Sequence, residues 1–174
     1  MRHAFIVLLT AFVVPVVALP SLAAAQDYPK LKPGLWEMTH TSDNAPQRPT
    51  TATVCLDDSV QKEMVALGNG AMQGMCSRHD FRMSGGRATG DFVCDMGGST
   101  MHSKSTMVMN GDSAYRTEIH TTYSPALMGM SKVDTVLTAR RLGPCKKGQR
   151  PGDMTTPDGH TFNIRDAMNG NGRK

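Results

Sequence analysis

Three residue types in this chain carry chemistry that could be put to a specific use: four cysteines, six histidines and fourteen methionines. Cys55, Cys76, Cys94 and Cys145 form no C-x-x-C pair. Zinc sites usually take their thiolates from such close pairs, and a thioredoxin-like redox centre requires one. An even set of well-spaced cysteines is instead the pattern of disulfides in an exported chain. Thioether and imidazole are both copper ligands, and thioether favours Cu(I). Met101, His102, Met107, Met109 and His120 lie close in sequence or across an expected hairpin, which suggests a Met/His copper site. Alternation along a strand, however, sends these methionines to one face and the two histidines to the other. The simpler reading is that Met replaces Leu in the core, so no metal ligand and no cofactor is assigned.

The sequence contains no G-x-S-x-G, S-x-x-K or H-E-x-x-H motif. A hydrolase triad is defined by geometry, and the expected strand register brings His79 opposite Asp91. A cross-strand polar pair on a wet face explains that more simply. No catalytic residue is assigned, the chain is read as non-enzymatic, and a cryptic hydrolase is kept as an alternative.

The elements that position these residues are mostly strands. Residues 35–41, entered through Lys32-Pro33-Gly34, and residues 50–56 read as the first two. Asp57 and Asp58 then open one helix. Asp58 with Gln61 resembles a capping box, Val60, Met64 and Leu67 recur at helical spacing for packing on the sheet, and Gly68 stops the run. Residues 77–83 and 87–94 form a hairpin around Ser84-Gly85-Gly86. A three-residue loop there sets Cys76 directly opposite Cys94, at a separation suited to a disulfide. A two-residue Gly-Gly turn would put the two cysteines on opposite faces. Of three connectivities, the hairpin favours Cys76–Cys94, which leaves Cys55–Cys145.

A second hairpin is expected at Asn110-Gly111, with a loop over residues 110–112 that pairs Lys104 with Glu118. It puts Met101, Met107, Met109, Tyr115, Ile119 and Tyr123 on one face. His102, Lys104, Arg116, Glu118 and His120 take the other. Residues 132–141 form a last strand. The fold class is therefore mainly β: an antiparallel meander, a curved sheet or small barrel, with one α-helix and two disulfides.

Three segments are expected. Residues 1–25 read as a signal peptide: Arg2 and His3, an apolar run over 4–19, then Ala23-Ala24-Ala25, with cleavage after Ala25. Residues 26–145 form the domain. Residues 146–174, rich in Gly and Pro, form a polar basic tail expected to be mostly disordered, with at most one helical turn over 162–168. Leu, Ile, Val and Phe number only nineteen after residue 25, so methionine must supply much of the core. Of the formal charge of +4, one unit is Arg2 in the expected signal peptide and three belong to the tail, because residues 26–145 hold twelve basic and twelve acidic side chains. A neutral domain behind an export signal argues against nucleic acid.

Lys32-Pro33-Gly34-Leu35-Trp36-Glu37 after a signal peptide resembles the opening of an exported bacterial family, domain of unknown function 3617. Cys55-Leu56, the Cys76 and Cys94 pair around a Gly-containing turn, and Arg141-Leu142-Gly143-Pro144-Cys145 extend the resemblance over about residues 28–145. It implies a periplasmic setting and carries no activity. By default the domain is read as a binding module for a small apolar ligand, with Trp36, Met107, Met109 and Tyr115 as candidate contacts. Trp36 is first of all expected as a core anchor. The alternative is a structural or interaction protein of the envelope whose basic tail touches anionic surfaces.

Overall fold

The computed structural model describes residues 28–44 and 49–168. The expected signal peptide, its cleavage point and residues 169–174 lie outside them. In chain order the elements are β1 (Gly34–Ser42), β2 (Thr50–Leu56), α1 (Asp58–Met75), β3 (Cys76–Ser84), β4 (Arg87–Asp95) and β5 (Thr100–Asn110). Then follow β6 (Ala114–Leu127), β7 (Met130–Gly143), β8 (Asp153–Thr155), β9 (Thr161–Asn163) and α2 (Ile164–Met168). The strands form one antiparallel sheet in the order β3-β4-β5-β6-β7-β1-β2-β8-β9. It is open rather than closed into a barrel, so β3 and β9 are its edges.

The core lies where α1 meets the middle of the sheet. Trp36 and Val54 on neighbouring strands, Leu56, Ala139 of β7 and Val60 of α1 form one buried cluster. Trp36 is fully buried, and its indole N–H donates to the carbonyl of Lys32 at 2.9 Å. That bond satisfies the one polar atom of the largest side chain in the core.

Both disulfides form as expected, Cys55–Cys145 and Cys76–Cys94. The second is reached by a different route. The β3–β4 turn has two residues, Gly85 and Gly86, both at positive φ (56° and 76°), and Ser84 pairs with Arg87. That is the mirror-image turn whose twist matches the strands. Left alone, this register would separate the cysteines by one residue. A bulge at Ser77 restores it, so Arg78 pairs with Val93 and Cys76 pairs with Cys94.

The corrected register also moves His79 to Phe92, with ring centroids 5.5 Å apart, and sets Asp91 opposite Asp80. The expected His79–Asp91 pair therefore does not exist. In the second hairpin Asn110 pairs with Ala114, which places the loop at residues 111–113 and Lys104 opposite His120 rather than Glu118. The division of the two faces survives, because the register differs by an even number of residues. Met101, Met107, Met109, Tyr115 and Ile119 are half-buried, while Lys104, Arg116, Glu118 and His120 are exposed.

The helix runs through Gly68 to Met75, seven residues past its expected stop. Its N-cap is Asp57, whose carboxylate accepts from the Val60 amide at 2.8 Å. It is fastened at both ends, by Val60 in the core and by Cys76 immediately beyond it, and this attachment outweighs the poor propensity of glycine. Of the three apolar residues expected on the sheet, Val60 is buried, but Met64 and Leu67 are 42% and 54% exposed.

The tail does not conform to the expectation of disorder over residues 146–168. β8 pairs with β2 and β9 pairs with β8, neither of which was expected, whereas α2 falls within the helical turn expected over residues 162–168. β2 would otherwise present an unpaired edge, and a short strand of three residues suffices to cover part of it.

Candidate functional site

The sheet face that carries α1 is not sealed by it. The helix meets the sheet near its two ends, and between them an apolar cleft of about 400 Å³ remains. Met38, Val54 and Leu56 supply its floor on β1 and β2, with Met107 and Tyr115 from β5 and β6. Gln61, Met64 and Val65 of α1 form one wall, Phe81 of β3 another, and Met154 and Ile164 an end. Alternation explains the floor: Met38, Val54 and Leu56 share the face of Trp36 because pairing sets Trp36 opposite Val54 and Gly34 opposite Leu56.

The segment at residues 28–31 closes part of the mouth. Tyr28 stacks on Phe81 with centroids 4.8 Å apart and planes 17° from parallel, and its hydroxyl donates to the Asn69 side-chain oxygen at 2.6 Å. Gln61 holds Leu31 by two bonds of 2.9 Å, its carbonyl accepting from the Leu31 amide and its NH2 donating to the Leu31 carbonyl. Both polar groups of Gln61 are thereby engaged, and they leave the wall of the cleft effectively apolar. The remaining polar group in the lining is the Tyr115 phenol. Burial raises its pKa above the ordinary 10.0, because a phenolate there would lose its hydration.

Of the residues singled out from sequence, Met107 and Tyr115 line this cleft. Trp36 lies beneath it in the core, 6.2 Å from the Tyr115 ring. Met109 shares the face of Met107 but is not among the lining residues, and its Cβ stands near Gly86. Tyr28, Gln61, Phe81 and Ile164 carried no sequence signal for the cleft, since each reaches it through a contact between segments distant in the chain. Met64, from the helical series Val60, Met64 and Leu67, is the one residue of that series in the lining.

The opposite face of the sheet carries a row of charges. Asp80, Asp91, Lys104, His120 and Asp134 stand directly opposite one another across β3 to β7. His102 meets Asp91 at 2.9 Å and His120 meets Asp134 at 2.6 Å, with Lys132 also 2.6 Å from Asp134. The hydrogen bond from His102 holds the Asp91 carboxyl below its usual range, and those from Lys132 and His120 do the same for Asp134. Among the described residues no serine or threonine hydroxyl bonds either imidazole, so these pairs lack the third member of a hydrolytic site. The copper candidates are divided as alternation requires. His102 and His120 are engaged with carboxylates on this face, whereas Met101, Met107 and Met109 point to the other. No cluster of three or more His, Cys, Asp or Glu side chains suited to a metal occurs among the described residues. No helix among them is long and apolar enough to cross a membrane.

An open antiparallel sheet, one long helix over an apolar cleft, and two disulfides define a mainly β, cross-linked protein. Residues 31–145 match the family described as "Protein of unknown function (DUF3617)", and the chain belongs to that family. No curated protein matches it.

Proposed function

We propose that this protein is an exported, periplasmic, non-enzymatic module that binds a small apolar ligand, such as a single acyl chain, between α1 and the sheet. The observation that carries the reading is the cleft itself. Its volume of about 400 Å³ falls within the range of small-molecule sites, and its lining is almost wholly apolar. Four methionines, Met38, Met64, Met107 and Met154, give the lining flexible side chains that adjust to irregular apolar shapes. A core made for rigidity alone would have closed this space, because unfilled apolar volume forfeits packing energy. Two disulfides suit an oxidising compartment, and the apolar run over residues 4–19 supplies the export signal.

The test uses the mature full chain and the dye phenylnaphthylamine, whose fluorescence rises in apolar surroundings, with palmitic acid as competitor. Saturable dye uptake, displaced by palmitic acid and lost in Val65→Lys, is expected. Val65 is half-buried on the helix wall, so a lysine there brings charge to the cleft without entering the main core. Absence of saturable uptake by the wild type, or equal uptake by a folded Val65→Lys, overturns the reading.

A further inference from the structure

The family match ends at residue 145, but the cleft continues beyond it. Met154 and Ile164, both from the following segment, form one of its ends. Each is placed by specific bonds. β8 adds to the free edge of β2 with Val54 opposite Met154, so Met154 extends the floor begun by Val54. The Gly152 amide donates to the Cys55 carbonyl at 2.8 Å, and the Ile164 amide donates to the Gly152 carbonyl at 2.9 Å, which folds the chain back toward the sheet. Asn163, only 7% exposed, locks this return. Its NH2 donates to the Pro151 carbonyl at 3.1 Å and to the Asp153 carboxylate at 2.8 Å, and its side-chain oxygen accepts from the Arg165 amide at 3.0 Å. Arg165 then reaches α1, where its Nε donates to Glu63 at 2.7 Å and its terminal nitrogen bonds the Ser59 hydroxyl. A charged clamp thus ties α2 to the start of the helix that walls the cleft.

We propose that the segment after Cys145 is an end wall added to the family's sheet, and that Ile164 and Met154 set the length of apolar chain the cleft accepts. The inference rests on the ligand-binding reading and goes further by assigning selectivity to residues outside the family match. Its physical basis is simple. Each methylene that finds buried space gains about fourfold in affinity, and a methylene that meets a fixed wall gains nothing. The position of the wall therefore fixes the optimum of a homologous series.

The experiment measures displacement of phenylnaphthylamine from the full mature chain by straight-chain fatty acids from octanoic to stearic. Ile164→Ala removes three carbons from the wall and should move the optimum by about two to three methylenes toward longer acids. Ile164→Trp should move it toward shorter ones. Arg165→Glu sets like charges against Glu63 and should flatten the length preference, and adding Glu63→Arg should restore it by reversing the pair. The paired reversal separates a role in selectivity from simple loss of folding. Wild-type binding whose optimum does not move in either Ile164 variant overturns the inference while leaving the ligand-binding reading intact. Failure of the wild type to take up dye removes both.

Discussion

Gln61 and Leu31 are joined like two paired strands: the side-chain amide of one satisfies both backbone groups of the other, each at 2.9 Å. The bond pair fastens the segment before β1 to the helix across the cleft. Gln61 stands one position beyond the N3 site of a helix capped by Asp57, so it takes no part in a capping box and its amide holds Leu31 instead.

Gln61→Ala should therefore loosen this roof. Two lost bonds, each worth about 1 kcal/mol net, predict a fall in unfolding free energy of about 2 kcal/mol. Gln61→Glu should cost at least as much, because a carboxylate can accept from the Leu31 amide but opposes its carbonyl. Urea unfolding of the two variants checks this. Unchanged midpoints in both would show that the segment at residues 28–31 is not held by Gln61.

Glycines at two places should respond oppositely to alanine. Gly68 lies within α1, and a Cβ there meets nothing within 4 Å. Gly68→Ala should stabilise by about 0.5–1 kcal/mol through the unfolded chain and helix propensity. At Gly90 of β4 a Cβ would stand 2.4 Å from the Phe92 ring and 2.6 Å from the Ser105 hydroxyl. Gly90→Ala should destabilise by about 1–3 kcal/mol, as overpacking does. Phe92→Leu in the same chain should recover part of that loss. Equal effects at the two glycines would contradict this picture of the sheet.

The disulfides should differ in worth. Cys55–Cys145 closes a separation of 90 residues and Cys76–Cys94 one of 18. The chain-entropy relation gives about 4.6 and about 3.2 kcal/mol respectively. Paired Cys→Ser variants compared by thermal unfolding should show the larger loss for the long loop. The reverse order would mean that the Cys76–Cys94 link does more than restrict the unfolded chain. It follows the end of α1 directly, so fastening the helix is the additional role to examine.

Tyr115 supplies a pH signature. Burial alone raises its folded pKa, so the folded state favours the neutral phenol. Once the pH exceeds the unfolded value of 10.0, the unfolded chain gains by ionising and the folded one does not, so stability falls above pH 10.0. Ultraviolet titration should show one tyrosine ionising late, absent in Tyr115→Phe. Bound palmitic acid should delay it further, because it removes the remaining water. A Tyr115→Phe curve that differs from wild type only in amplitude would show that water reaches this phenol freely.

Much of the fold was legible because its signals are local. Alternation of Met107, Met109 and Tyr115 against Lys104, Arg116 and His120 survives any even shift of register, so both faces could be read with the loop misplaced. The pairing of Cys76 with Cys94 could be read as well, although through a turn that the protein does not use. The Ser77 bulge compensates for the Gly85-Gly86 turn, and no local pattern encodes a bulge.

Side-chain period, turn residues and cysteine number were enough to read β1 to β7 in chain order, the two faces of the sheet, the disulfide framework and Trp36 as an anchor. Long-range packing set the rest: the sheet stays open, α1 runs past its glycines, and residues 146–168 cover part of the β2 edge. It alone assembled the cleft from Tyr28, Gln61, Phe81, Met107 and Ile164. The reason is the same in each case. These outcomes depend on contacts between segments far apart in the chain, whose combined burial and hydrogen bonding override the local preferences that a sequence displays.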